Sequence, residues 1–273
     1  MKTRIIVGVV GLILLLAVVL ALPSVGTAIL VAAMSVLAVY ELLIGTGLLK
    51  HVRIFAYTSL MAVLVVIWSW LGIQTHYAFG MVITVLYLAA LFTELLLAHA
   101  ELRFSKLCIA IFAGAVLPFL LGALVRLRVP VHGRVYIMTA FLLAMVPDTG
   151  AYFVGTFLGK RKLCPVISPH KTVEGAIGGL AVTILAMLLY TLLLHVVLHF
   201  RVNYLYAIVY AILGTGASML GDLTFSVIKR QTKIKDFCTL LPGHGGILDR
   251  FDSTSMVAPV VETLLLLIPF AVK

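Results

Sequence analysis

Between Ser226 and Asp252 the chain gathers the groups that could handle phosphate: Lys229, Arg230, Lys235, His244, Gly245, Gly246, Asp249, Arg250 and Asp252. Asp249 and Asp252 flank Arg250, and paired carboxylates of this kind can hold a hard divalent cation. Mg²⁺ commonly accepts one or two protein carboxylates and takes its other ligands from phosphate and water. The Pro242-Gly243 and Gly245-Gly246 dipeptides suit a folded turn. His244 has no nucleophile or orienting acid that can be paired with it from the sequence, so it shapes the turn or binds phosphate rather than acting as a base.

Two further constellations could complete such a site. Ser218, Asp222, Ser226 and Lys229 recur at i, i+4, i+8 and i+11, which places them along one side of a helix. Asp222 then lies roughly 12 Å along the axis from Arg230. Asp148, Tyr152, Gly155 and Gly159 follow the same spacing, giving a face with a carboxylate, a hydroxyl and a small-residue groove. Gly155-x-x-x-Gly159 has a plain structural reading as a helix-contact motif in membranes. After it come Lys160-Arg161-Lys162 and Ser168-Pro-His-Lys171-Thr172-Val-Glu174-Gly175, where basic and hydroxyl side chains precede a helix N-terminus. Such a terminus offers free N–H groups to phosphate. The spacing is not that of a Walker A loop.

The elements that must position these residues are membrane helices. The 273 residues are 63% hydrophobic and only 11% charged, and apolar runs repeatedly exceed 18 residues. They lack the alternation of barrel strands, which leaves α-helices as the spans. The expectation is an all-α polytopic membrane protein, one bundle of about nine helices near 5–22, 25–49, 54–72, 77–97, 107–125, 135–158, 175–200, 204–229 and 253–272. Residues 1–134 supply the N-terminal helices and 135–273 the motif-bearing ones. The run from Ile5 to Leu22 is longer than a usual signal-peptide core and reads as a retained helix. With the N-terminus cytoplasmic, 15 Lys and Arg fall on that side and five on the other, a positive-inside bias that places loops 159–174 and 230–252 in the cytoplasm. Cys108, Cys164 and Cys238 have neither a disulfide framework nor metal spacing. Six acids stand within or at the ends of the spans: Glu41, Glu94, Asp148, Glu174, Asp222 and Glu262. Such groups face a partner or a wet cavity, which also suits a secondary transporter of an anionic solute.

Ser226-x-x-Lys229-Arg230, Lys235-Asp236 and Leu241-Pro242-x-His244-Gly245-Gly246-Ile247-x-Asp249-Arg250-Phe251-Asp252 closely resemble the signature of phosphatidate cytidylyltransferases, the CDP-diacylglycerol synthases. Asp148-x-x-Ala151-Tyr152, Ser168-Pro169-x-Lys171-Thr172-x-Glu174-Gly175 and Gly221-Asp222-Leu223 are similar to that family's other recurrent segments. The resemblance covers residues 147–252. Cys238, His170 and Phe225 depart from the pattern. The resemblance implies a multi-pass enzyme of a bacterial cytoplasmic membrane, working on its cytoplasmic face with Mg²⁺ as cofactor, CTP and phosphatidate as partners, and no nucleic acid; it leaves room for a homodimer. It further implies that Asp222 and Asp249 bind metal with Asp252, and that Lys229, Arg230, Arg250 and Lys171 hold phosphates. Ser226 orients an oxygen or ligates metal, while Ser168, Thr172, Lys235, His244, Gly245, Gly246, Asp148 and Tyr152 line the substrate. A cytidylyltransferase for another lipid phosphate is the neighbouring alternative.

Overall fold

The computed structural model describes residues 2–45, 51–234, 236–238 and 245–273. Helices α1 (Lys2–Ala21), α2 (Ser24–Gly45), α3 (Val52–Leu71), α4 (Tyr77–Leu97) and α5 (Phe104–Arg128) are followed by α6 (Gly133–Leu158), α7 (Val173–Val196), α8 (Tyr204–Gln231) and α9 (Leu248–Leu267). Seven of these, α2 to α8, are long and apolar enough to cross a membrane. The chain is therefore a polytopic α-helical protein. Two compact units are present: residues 1–134 with 231–251, and residues 135–230 with 252–273.

In the first unit, α2, α3 and α5 pack around Leu43, Ile54, Leu117, Leu121 and Leu124, all essentially inaccessible. A π turn at Phe112–Val116 interrupts α5 just before Pro118, whose missing N–H cannot serve the preceding turn. Arg128 closes the end of α1: its Nε donates to Val19 O and its second terminal nitrogen to Leu22 O, both at 2.9 Å. The last carbonyls of a helix have no partner inside it, and a guanidinium is well suited to supply one.

The second unit is built on small residues. A Cβ on Gly179 would fall 2.6 Å from Pro147 O, and one on Gly175 would fall 2.8 Å from Ala151 O, so α7 lies directly on the backbone of α6. The groove predicted at Gly155-x-x-x-Gly159 is a packing face for Thr172, whose hydroxyl would meet a Cβ on either glycine at 2.8 Å. Between α6 and α7 stands a two-stranded antiparallel ribbon, β1 (Lys162–Cys164) and β2 (Ser168–Thr172). Glu174 accepts the N–H groups of Lys160 (3.0 Å) and Arg161 (3.1 Å), tying the ribbon to the start of α7. A second ribbon pairs β3 (Arg201–Val202) with β4 (Ala271–Val272).

Both ribbons occupy segments that an all-α chain would leave as loop or helix end. The predicted helix 175–200 runs from 173 to 196, and the predicted helix 253–272 runs from 248 to 267. Pro269 accounts for the early stop, since the residue before a proline is pushed out of the helical region. The early start moves Asp249, Arg250 and Asp252 from the expected loop onto the first turns of α9.

Candidate active site

In the second unit three carboxylates meet. Asp222 on α8 forms an ion pair with Lys171 on β2, and Ser226, one turn later, donates to Asp222 Oδ1 at 3.3 Å. Asp148 on α6 lies within the electrostatic reach of both Lys171 and Asp222. Asp252 on α9 faces Asp222, Asp148 and Lys229. Gly221 makes this possible: a Cβ there would lie 2.6 Å from Asp252 O, so only a glycine lets α9 rest against α8 at this level.

Ser253 knits the group together, its Oγ lying 3.4 Å from Asp148 Oδ2 and 3.2 Å from Ser218 O. Ser218 itself turns into the packing and donates to Ala144 O at 3.2 Å. The polar stripe read along α8 thus divides: Asp222 and Ser226 face the carboxylate group, while Ser218 serves the helix contact.

Beside the carboxylates lies a cavity of about 460 Å³, lined by α6, the ribbon, α7 and α8. Lys162, His170 and Lys171 stand at its ribbon side, Tyr152 and Asp148 on its α6 wall, and Thr215 and Met219 on α8. His170, one of the three departures from the pattern, therefore lines the cavity. Phe225, another, is 2% exposed and belongs to the core. Thr172 lines the cavity too, but its hydroxyl is engaged as the N-cap of α7, accepting Gly175 N at 3.1 Å. Ser168 pairs with Cys164 in the ribbon and does not line the cavity. Arg230 donates to Ile167 O at 3.4 Å, joining the end of α8 to the ribbon.

The first unit holds the rest of the expected signature. Asp249 Oδ2 accepts the N–H groups of Gly246 (2.9 Å) and Phe237 (3.0 Å), and Arg250 follows it in the first turn of α9. Gly245 has φ +81°, and a Cβ on it would lie 2.7 Å from Asp249 Oδ2. Asp249 and Asp222, expected together on one metal pair, belong to different units; the carboxylates that meet Asp222 within its own unit are Asp148 and Asp252. Lys235 and His244 lie outside the described residues.

The match to the cytidylyltransferase family runs over residues 2–268, nearly the whole chain. The protein belongs to this family. Among its relatives, the phosphatidate cytidylyltransferase of Bacillus subtilis is 33% identical over 275 residues, covering 98% of each chain. That of Staphylococcus saprophyticus is 44% identical over 135 residues, half of each chain. The Haemophilus influenzae protein of the same name is 38% identical over 159 residues, 54% of this chain and 52% of its own.

In this cytidylyltransferase-family chain three more residues shape these segments, and only Glu41 stands out in the sequence. Ser253 and Thr215 have no distinguishing spacing, and their places emerge only from helix packing. Glu41 carried a signal, an acid inside an apolar helix; it accepts Ile247 N and Leu248 N at the start of α9.

Among the described residues no group of three or more His, Cys, Asp or Glu side chains is arranged to hold a metal ion by itself. Mg²⁺ does not require one, since phosphates and water complete its shell. Asp148 and Asp252 each lie within electrostatic reach of Asp222, which is paired with Lys171, and one or two such carboxylates are all that Mg²⁺ asks of a protein.

Proposed function

We propose that the protein is a phosphatidate cytidylyltransferase with nine membrane spans, its N-terminus and active site facing the cytoplasm of a bacterial cell. It joins CTP to phosphatidate, giving CDP-diacylglycerol and pyrophosphate. The observation that carries this reading is the Asp148–Asp222–Asp252 group with its Lys171 ion pair, of which Asp148 and Lys171 line a cavity between apolar helices. A reaction between a lipid and a soluble nucleotide needs such a junction of charge and apolar wall. The names of the relatives, one of them aligned over 98% of each chain, support the choice of substrates.

An oxygen of the phosphatidate phosphate attacks the α-phosphorus of CTP. The new P–O bond forms as the bond from that phosphorus to the β-phosphate oxygen breaks, and pyrophosphate leaves with the electron pair. No general base is required, because the attacking phosphate is already ionised at neutral pH. Positioning and charge neutralisation are therefore the main tasks of the protein. Lys171 exchanges its Asp222 partner for a substrate phosphate, and Lys162 and His170 extend the basic wall. Ser226 orients one Asp222 oxygen. Asp222 and Asp252, with Asp148 alongside, would hold Mg²⁺, which supplies Lewis-acid neutralisation of the converging phosphate charges. Lys229 and Arg230 would complete the phosphate-binding charge of this unit.

The test is labelled CTP with phosphatidate, supplied to purified protein with and without Mg²⁺. CDP-diacylglycerol forms only with Mg²⁺, and Asp222→Asn loses at least about 100-fold in turnover while remaining folded. Product from a different lipid phosphate, and none from phosphatidate, would overturn the substrate.

A further inference from the structure

We propose that Glu41 is a positioning residue for the signature segment, fixing from α2 the point at which α9 begins. This deepens the functional reading above and rests on it. Glu41 is fully buried, yet both of its oxygens are used: Oε1 accepts Ile247 N at 2.7 Å and Oε2 accepts Leu248 N at 2.9 Å. The first N–H groups of a helix have no partner inside it, and the helix dipole favours an anion there. A Ser, Thr, Asp or Asn at the N-cap usually meets that need. Here the residue before Leu248 is Ile247, whose side chain cannot accept a hydrogen bond, and the cap comes from 206 residues away.

The glycine pair of the signature fits this arrangement. A Cβ on Gly246 would lie 2.4–2.5 Å from the Glu41 carboxylate, so any side chain at 246 displaces the cap. Gly245 is held against the other acid, Asp249, which accepts Gly246 N and Phe237 N. Two carboxylates thus grip one Gly-Gly turn. With both in place the first turn of α9 has a single register, and Arg250 and Asp252 leave the helix in set directions. Glu41 keeps both oxygens on backbone N–H groups.

The experiment compares wild type with Glu41→Gln, Glu41→Ala, Gly246→Ala and the Glu41→Ala/Gly246→Ala pair. It measures kcat, KM for each substrate, melting temperature and amide exchange. Glu41→Ala is expected to lower kcat at least about 30-fold with KM for phosphatidate within about threefold, the pattern of a group that acts on the transition state. Glu41→Gln, which keeps one acceptor, recovers to within about tenfold of wild type. Exchange at Ile247 and Leu248 rises at least about tenfold in Glu41→Ala and stays unchanged in α3 and α5. Gly246→Ala is damaging alone and adds less than about twofold to Glu41→Ala, because the clash has gone with the carboxylate. Wild-type kcat in Glu41→Ala would overturn the proposal, as would additive effects of the pair or exchange raised equally throughout the chain. If wild type makes no product from CTP and phosphatidate, the functional reading fails, and the exchange data still decide the role of Glu41.

Discussion

Asp252 shows how a single side chain reports on its site. It lies beside Asp222 and Asp148, with Lys229 also within electrostatic reach. Removing one carboxylate from this group should weaken its hold on a divalent cation. Asp252→Asn should raise the Mg²⁺ concentration giving half-maximal thermal stabilisation at least about tenfold, and a melting series in detergent reads it directly. The sequence named Asp252 among the metal candidates. It could not show that Asp148 and Asp222 would be its neighbours, because that depends on the packing of α6, α8 and α9.

Helix contacts set by small residues govern the element scale. Gly179 meets the backbone carbonyl of Pro147, which cannot move aside as a flexible side chain can. Gly179→Ala should force α7 off α6, cost about 1–3 kcal/mol as overpacking does, and disturb the cavity between these helices. Gly216 on α8 has nothing within 4 Å of an added Cβ, so Gly216→Ala should be neutral or stabilising by up to about 1 kcal/mol. Paired thermal-shift and turnover measurements separate the two glycines. The sequence marked Gly155 and Gly159 as a packing motif, and their role against Thr172 agrees. It gave no sign of the 162–172 ribbon, because Ser168-Pro-His-Lys-Thr has little strand character and pairs through a short turn. Nor did it place residues 248–252 in a helix, since the cap that starts α9 is Glu41, remote in the chain.

At the scale of the whole molecule the membrane orders the chemistry. Lys162 and Arg201 are exposed and lie on either side of α7, a helix long and apolar enough to cross once. In a background with all three cysteines replaced, Lys162→Cys should react with an impermeant thiol reagent only from the cytoplasmic side, and Arg201→Cys only from the other. The reverse pattern would overturn the proposed topology while leaving the helices in place. The sequence by itself determined the helical membrane class and the signature residues, because long apolar runs and short motifs are local properties of the chain. It also placed the excess of basic side chains in alternate loops. Only the tertiary structure decided which carboxylates share a site. It joined Asp148, Asp222 and Asp252 across three helices, turned Ser218 and Thr172 to structural duty, and gave Glu41 the start of α9. Those choices depend on close backbone approaches at Gly179, Gly221 and Gly246, and an approach between distant segments leaves no periodicity in the sequence.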